Sequence, residues 1–143
     1  MGAGVSDTIL VLDSWPVLEW IKNREPASSR FAAVLSTSVN QRVSLEISRI
    51  NYGEVIYSIR KAQDIPDREA SLRVFRSLAL RVHSASDALV DEAVELKSKY
   101  PFSFADAFAA ALAMRLGAPL VTGDPEFRSL EADGLLRLQW IGN

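Results

Sequence analysis

An apolar run that ends in an acid, TILVLD at residues 8–13, constrains the fold of this chain more than any other feature. A short continuous run of Ile, Leu and Val is typical of a strand buried on both faces, as in a parallel sheet. A second run of this kind, APLVT at residues 118–122, is followed by Gly123 and Asp124. Because parallel strands need long crossover connections, we expect helices between them.

Helical and extended patterns alternate along the rest of the chain. Apolar spacing and helix start signals predict helices at 14–23, 27–39, 50–62 and 67–78. A further helix is predicted to begin at a capping box of Ser84 and Asp87 and to run to Lys99. Another is predicted from Ser103 to the residue before Gly117, and a short helical turn is predicted at 125–130. Further strands are predicted at 42–48, 79–84 and 135–141. This alternation predicts an α/β fold with a central, mostly parallel sheet flanked by helices. With no repeat or linker, residues 1–143 are predicted to form a single domain.

Composition excludes several classes of function. The chain of 143 residues is 48% hydrophobic and 24% charged, as expected of a globular protein with a core. It has no cysteine, which excludes disulfides, thiol catalysis and cysteine zinc sites, and suits a reducing cytoplasm. No apolar stretch is long enough to cross a membrane, and no secretory signal is seen. The opening MGAGVS fits the short pattern for N-myristoylation, which arises often by chance.

Charge is distributed unevenly along the chain. The formal net charge of −2 gives no whole-protein case for nucleic-acid binding. Residues 42–81, however, carry eight Arg and Lys against five Asp and Glu, a local +3, whereas residues 82–143 carry five against nine, a local −4. This asymmetry fits a basic binding face beside an acidic site, and it fits two solvated helix surfaces equally well.

Aspartates stand directly after both buried strands. Asp13 ends the first run, and Asp124 follows the second after one glycine. In open α/β sheets the ligand crevice lies outside the carboxyl ends of the strands, so both acids are expected at that edge. Each also has a structural interpretation, because Asp13 or Ser14 suits the N-cap of the next helix, and Asp124 precedes Pro125 at a helix start.

A third aspartate, Asp106, lies in the alanine-rich segment SFADAFAAALAM, which is apolar on every side of the predicted helix. Such a helix is usually buried, and a buried carboxylate must be paired, protonated or bound to a metal. The alternative is a capping box, with Ser103 as N-cap and Asp106 three residues later.

Glu54 is the fourth candidate acid. It lies away from the apolar stripe of its predicted helix, which contains Tyr52, Val55, Ile56 and Ile59. Alone it is interpreted as a solvated glutamate. Carboxylates that cluster without His or Cys, however, indicate Mg²⁺ or Mn²⁺, which prefer oxygen ligands. Such an ion activates water and stabilises charge on a phosphoryl group, so phosphodiester hydrolysis is the natural reaction.

The chain resembles the PIN-domain ribonucleases, and among them the toxins of VapBC-type toxin–antitoxin modules. The resemblance is carried by VLDSWPVLEWI, SRINYGEVIYSIRK, FSFADAFAAALAMRLGAPLVTGD and the following PEF with its closing strand. It runs nearly end to end. The third block is the most specific, because its helix, turn, strand and acidic end arrive in the order and spacing of the family.

The resemblance implies a PIN-like three-layer fold and a metal-dependent endoribonuclease that uses Mg²⁺ or Mn²⁺. The conserved acids of the family, which bind metal and carry catalysis, fall on Asp13, Glu54, Asp106 and Asp124. The family's hydroxyl groups that support these acids fall on Ser14 and Thr122. The resemblance also implies an RNA substrate, a cognate antitoxin whose tail covers the active-site groove and a homodimer. The expected location is cytoplasmic, which the absence of cysteine suits.

Two departures from the family pattern are visible. Trp15 and Pro16 stand where many members carry small or aliphatic residues, and residues 63–82 contain no family motif. Candidates for phosphate contacts are Arg49, Arg60, Lys61, Arg68, Arg73 and Arg76, although most surface cations are simply solvated. Trp20, Tyr57 and Phe75 are expected mainly in the core, with antitoxin contact as the alternative.

Three other functions are compatible with parts of the sequence. The first is a catalytically silent PIN-like domain that binds RNA or protein. The second is a phosphatase with Asp13 as its nucleophile, but such enzymes typically carry a second Asp two residues later, where this chain has Trp15. The third is a DNA or flap nuclease of the same fold, and these enzymes usually carry additional elements.

Overall fold

The computed structural model of the protein describes residues 8–143. The possible N-myristoylation pattern at residues 1–6 lies outside the described residues. In chain order the strands are β1 (Thr8–Leu12), β2 (Val43–Ser48), β3 (Leu80–His83), β4 (Leu120–Thr122) and β5 (Leu138–Trp140). The helices are α1 (Ser14–Ile21), α2 (Ala27–Asn40), α3 (Arg49–Lys61), α4 (Arg68–Ser77), α5 (Asp87–Lys99), α6 (Phe104–Leu116) and, after a 3₁₀ turn (Pro125–Phe127), α7 (Arg128–Ala132).

The five strands form one sheet in the order β3-β2-β1-β4-β5, and all four neighbouring pairs are parallel. Strand β1 is central, with β2 on one side and β4 on the other. The chain therefore reverses its direction of travel across the sheet at β1. In open parallel sheets, this switch point is where ligands bind, at the carboxyl ends of the strands. The predicted α/β fold with a parallel sheet is confirmed.

Helices cover both faces of the sheet, which gives three layers. One core packs α5 and α6 against the face of β1 that carries Val11, together with Leu120, Phe127 and Leu130. The other core packs α1, α2, α3 and α4 against the opposite face, around Phe31, Ile47 and Phe75. Burial on both faces explains why β1 and β4 read as continuous apolar runs.

Helix α6 is buried along its middle because alanine lets neighbouring elements approach closely. All seven residues from Ala107 to Ala113 are buried, whereas Phe104 and Met114, near the two ends, are exposed. Asp106 is half-buried in the first turn. The expectation of a helix buried on every side is therefore correct for the middle of α6 and wrong for the turn that carries the acid.

Two predicted boundaries are wrong for local reasons. The N-cap of α5 is Ser86, whose hydroxyl accepts the N–H of Leu89, and Ser84 stays in the preceding turn, where its carbonyl accepts the N–H of Ser86. The last strand begins at Leu138 rather than at residue 135. The N–H of Leu135 is bonded instead to the carbonyl of Leu130, in the turn that ends α7.

Candidate active site

The candidate site lies at the carboxyl edge of the two central strands. Asp13 follows β1 and is 1% exposed, and Asp124 follows the neighbouring strand β4 after Gly123. The main-chain N–H of Asp13 donates to the carbonyl of Val121 at 3.3 Å, so pairing of the strands continues to the first acid. Parallel neighbours thus bring together two acids that are more than a hundred residues apart in sequence.

Thr122 connects these two strand ends directly. Its buried hydroxyl donates to Oδ2 of Asp13 at 2.9 Å and accepts the N–H of Asp124 at 3.1 Å. Because a hydroxyl donates one hydrogen and accepts through lone pairs, both bonds form at once. The Thr122 side chain therefore holds the Asp13 carboxylate beside the backbone that carries Asp124.

Ser14 connects Asp13 to Glu54. Its main-chain N–H donates to Oδ1 of Asp13 at 2.8 Å, which makes Asp13 the N-cap of α1. Its side-chain hydroxyl makes a short hydrogen bond to Oε1 of Glu54, which is half-buried on α3. Glu54 is therefore not a freely solvated glutamate, and its carboxylate is oriented by the residue that follows the first acid.

Asn51 fixes helix α3 against the start of α6. It is fully buried, one turn before Glu54, and its side-chain amide donates to the carbonyl of Ala105 at 2.9 Å. Its Oδ1 accepts the hydroxyl of Ser48 at 2.5 Å, and its N–H donates back to that hydroxyl at 3.0 Å. Because Ala105 precedes Asp106, this amide sets the spacing between the helices that carry Glu54 and Asp106.

Asp106 and Asp124 form a compact group with Glu126, which the sequence analysis did not select. Carboxylate oxygens of these three residues lie within 4.8 Å of one another. Asp106 is held at the start of α6, where its N–H donates to Oγ of Ser103 at 3.1 Å. Oδ1 of Asp124 accepts the N–H of Glu126 at 3.0 Å, which brings the exposed glutamate back toward the site.

The carboxyl groups influence one another's protonation. The pKa of Asp13 is raised to about 8 by burial and by the charges of Asp106 and Glu54, while the hydrogen bonds from Thr122 and Ser14 oppose the shift. Burial also raises the pKa of Asp106 to about 7, together with a hydrogen bond to Glu126 and the charge of Asp124. All four predicted acids thus belong to one electrostatic network.

This donor set fits a hard divalent cation. The side chains offer only carboxylate and hydroxyl oxygens, which Mg²⁺ and Mn²⁺ prefer as ligands. Raised pKa values are expected of carboxylates that are buried and crowded without a neutralising charge, and a bound cation reverses this effect. Asp106, Asp124 and Glu126 offer the closest set of oxygens, and Asp13 lies beside them.

The structural and functional interpretations of the aspartates coexist. Asp13 caps α1, and Asp124 caps the 3₁₀ turn that begins with Pro125. Asp106 occupies the first turn of α6 behind its N-cap, Ser103. Asp13 and Asp124 each use one carboxylate oxygen for capping, and Asp106 uses only its backbone N–H. Other lone pairs of each carboxylate therefore remain available to bind a cation. The partial positive charge of each helix start also favours a carboxylate there.

Sequence comparison agrees with this architecture. A family model described as the PIN domain matches residues 10–133, which include all four candidate acids and Glu126. The chain belongs to the PIN-domain family. The resemblance noted from its motifs is therefore confirmed at the level of the family. No curated protein matches the sequence significantly.

Solved structures share the PIN fold of this chain at low sequence identity. VapBC2 from Rickettsia felis, bound to a DNA fragment from its promoter, matches with a TM-score of 0.69 and 20% identity over 92% of this chain and 98% of that one. VapBC-1 from nontypeable Haemophilus influenzae matches with a TM-score of 0.65 and 22% identity over 93% and 98% of the chains. VapC20 from Mycobacterium tuberculosis, a toxin that cleaves the sarcin-ricin loop, matches with a TM-score of 0.62 and 17% identity over 84% and 93%.

Several residues behave differently from their sequence-based interpretation. Tyr57, expected in the core, is 64% exposed on α3, whereas Phe75 is fully buried as expected. Glu126 and Asn51 were missed because a single polar residue in a helical segment carries no distinctive pattern. The one available signal for Glu126 was its place two residues after a strand-end acid.

Within residues 8–143, no helix combines the length and apolar character needed to cross a membrane.

Proposed function

We propose that this PIN-domain protein is a metal-dependent endoribonuclease that hydrolyses RNA phosphodiesters and acts as the toxin of a VapBC-type toxin–antitoxin pair. The observation that carries the proposal is the network at the strand switch point. There Thr122 and Ser14 tie Asp13 to Asp124 and Glu54, and burial together with the charge of Asp106 raises the pKa of Asp13. A domain that only binds a partner gains nothing from crowding carboxylates at such a cost in electrostatic repulsion.

In this proposal Asp13, Asp106 and Asp124 hold one Mg²⁺ or Mn²⁺ ion, and Glu126 extends the set of ligands. Glu54 either binds a second ion or orients the attacking water. When bound, such an ion lowers the pKa of water and stabilises negative charge that develops on the phosphoryl group.

The residues of the chain position the reaction. Ser14 donates to Oε1 of Glu54, so the other oxygen of that carboxylate can orient a water in line with the phosphorus. Thr122 keeps the Asp13 carboxylate facing Asp124 through its hydrogen bond to Oδ2. These two hydroxyls do not bind the metal themselves but orient the carboxylates that would bind it. Groups that hydrogen-bond to metal ligands in this way commonly affect metal affinity.

The comparison with solved structures supports the partners that we propose. VapBC2 and VapBC-1 share the fold and belong by name to the VapBC type, and we extend the antitoxin partner expected for that type to this chain. VapC20 is named as a toxin that cleaves the sarcin-ricin loop, which supports RNA as the substrate class. A homodimer and a cytoplasmic location complete the proposal. The alternative is a catalytically silent PIN domain that binds RNA or protein through the same face.

The test is cleavage of total cellular RNA by purified protein freed of antitoxin, with Mg²⁺ or Mn²⁺ present. Asp106→Asn and an EDTA-treated sample serve as negative controls, and Asp91→Asn on the exposed face of α5 is the matched control. Discrete fragments that disappear in both negative controls but not with Asp91→Asn establish the nuclease. A folded protein that binds Mn²⁺ but leaves RNA intact would favour the silent domain.

A further inference from the structure

The outer face of α3 carries a row of exposed and half-buried side chains that begins beside the site. Ile50, Glu54, Tyr57 and Lys61 follow one another at spacings of four, three and four residues, so they lie along one stripe of the helix. The opposite stripe, with Asn51, Val55 and Ile59, is buried in the core. Tyr57 is 64% exposed, and it is therefore not held as a core residue.

The surface around Glu54 on this stripe is open. A Cβ atom added to Gly53 would meet no heavy atom within 4 Å, so nothing covers the helix beside the acid. From Glu54, Tyr57 lies about 4.5 Å and Lys61 about 10.5 Å farther along the helix axis, at 1.5 Å per residue. A strand that leaves the site along α3 would therefore meet the tyrosine ring first and the cations next.

Arg60 and Lys61 are the cations that remain available on this helix. Both are exposed, and neither forms an ion pair among residues 8–143. Two of the other cations considered from the sequence are engaged elsewhere. The guanidinium of Arg49 lies over the ring of Tyr52 at 5.2 Å, and Nε of Arg68 donates to the carbonyl of Ala62 at 2.8 Å.

We propose that this face, defined as Tyr57, Arg60 and Lys61, binds single-stranded RNA next to the scissile phosphate. The Tyr57 ring stacks on one base, and the two cations contact the phosphates beyond it. This inference rests on the proposed ribonuclease function. An exposed ring beside free cations is the combination by which proteins hold single strands without reading sequence. The cations also offset the repulsion that four carboxylates exert on a polyanion.

The charge of this face favours nucleic acid over a protein partner. Helix α3 offers three cations and one acid, and that acid faces Ser14 in the site. The exposed part of the helix beyond Glu54 is therefore purely aromatic and cationic. A second copy of the chain is the competing occupant, and light scattering of the Tyr57 variants distinguishes that contact from RNA binding.

The test is binding of a fluorescein-labelled 12-nucleotide single-stranded RNA, measured by anisotropy in EDTA so that the RNA stays intact. Tyr57→Ala should weaken binding at least about fivefold, because loss of one stacked base costs roughly 5- to 150-fold in affinity. Tyr57→Phe keeps the ring and should bind within about twofold of wild type. The double variant Arg60→Ala/Lys61→Ala should reduce the slope of log affinity against log salt by about 1.4.

The controls use helix α5, which packs on the other face of the sheet. Val94→Ala and Lys99→Ala replace an exposed apolar residue and an exposed cation there, and neither should change binding. Thermal melting and light scattering of each variant report folding and mass. Unchanged binding by Tyr57→Ala, or equal loss with Tyr57→Phe, overturns the stacking role. A change in mass with Tyr57→Ala assigns the face to a contact between copies and also overturns it.

Failure of this inference and failure of the proposed function give different results. If the wild-type protein neither binds nor cuts RNA, the ribonuclease proposal fails and the binding face fails with it. If the wild-type protein cleaves RNA in Mn²⁺ while Tyr57→Ala binds the oligonucleotide normally, only the binding face is wrong.

Discussion

The ring of Trp15 lies directly against the backbone of Gly123. A Cβ atom added to Gly123 would stand 2.5 Å from Cη2 of Trp15, closer still to Cζ3, and 2.8 Å from Cα of Gly142. Trp15 follows Ser14 in the first turn of α1, just after β1, and Gly123 separates Thr122 from Asp124 just after β4. The contact therefore packs the two acid-bearing strand ends together, and it uses the tryptophan that departs from the family pattern.

The Trp15–Gly123 contact predicts a measurable coupling between these positions. Gly123→Ala should destabilise the protein by roughly 1–3 kcal/mol, because the new methyl group displaces the ring. In a Trp15→Ala background the same change should cost less, although the clash with Gly142 keeps a residual penalty. Urea unfolding of the two single variants and the double variant measures the coupling. Strictly additive free energies would show that the ring does not constrain Gly123.

Asn51→Ala should weaken both the fold and the metal site. The substitution removes the bond to Ala105 and leaves buried polar groups unpaired, at a cost of roughly 1–3 kcal/mol. Because Asn51 spaces α3 from α6, the affinity for Mn²⁺, measured by calorimetry at a temperature where the variant is folded, should also fall. Asn40→Ala, at the exposed end of α2, is the control and should change neither quantity. Reduced stability with full Mn²⁺ affinity would confine Asn51 to a purely structural role.

Glu126→Gln should reduce Mn²⁺ affinity about tenfold or more if this carboxylate takes part in the site. Its oxygens lie within 4.8 Å of those of Asp106 and Asp124, and the neutral amide keeps its size while removing the charge. Glu69→Gln, on the exposed first turn of α4, is the matched control. Calorimetric titration decides the prediction, and equal affinities for the two variants would remove Glu126 from the site.

The metal-free protein should lose stability as the pH rises from about 4 to about 8. The pKa of Asp13 is about 8 in the folded protein, against an ordinary value of 3.8. Between these values the folded state binds more protons than the unfolded state, so the free energy of unfolding falls with increasing pH. Asp106, with a pKa of about 7, acts in the same direction.

Urea unfolding in EDTA at pH 5 and pH 8 measures this dependence. Asp13→Asn should reduce the fall in stability because the amide does not titrate, whereas the control Asp91→Asn should not. Added Mg²⁺ should stabilise the wild type more at pH 8 than at pH 5, since the ion competes with protons for the carboxylates. A metal-free wild type of equal stability at both pH values would contradict the prediction.

The amino-acid sequence by itself determined the strands and the helices. It also placed three acids, Asp13, Asp106 and Asp124, at the carboxyl edge of the sheet. These features depend on local patterns. The apolar run at 8–13, the alanine-rich helix and the acids directly after strands are each read within a few residues, and the position of an acid at a strand end places it at the carboxyl edge. The ends of the elements were predicted less accurately, as the N-cap of α5 at Ser86 and the start of β5 at Leu138 show. The reason is that a helix cap or a strand start depends on only one or two hydrogen bonds.

Only the tertiary structure decided which residues meet. The order of the strands places Asp13 beside Asp124, and the bond from Thr122 to Asp13 spans 109 residues. The bond from Ser14 to Glu54 spans 40 residues, and that from Asn51 to Ala105 spans 54. Contacts of this kind arise from packing of whole elements, which leaves no periodic trace in the sequence. For the same reason, only the fold distinguishes exposed Tyr57 from buried Phe75.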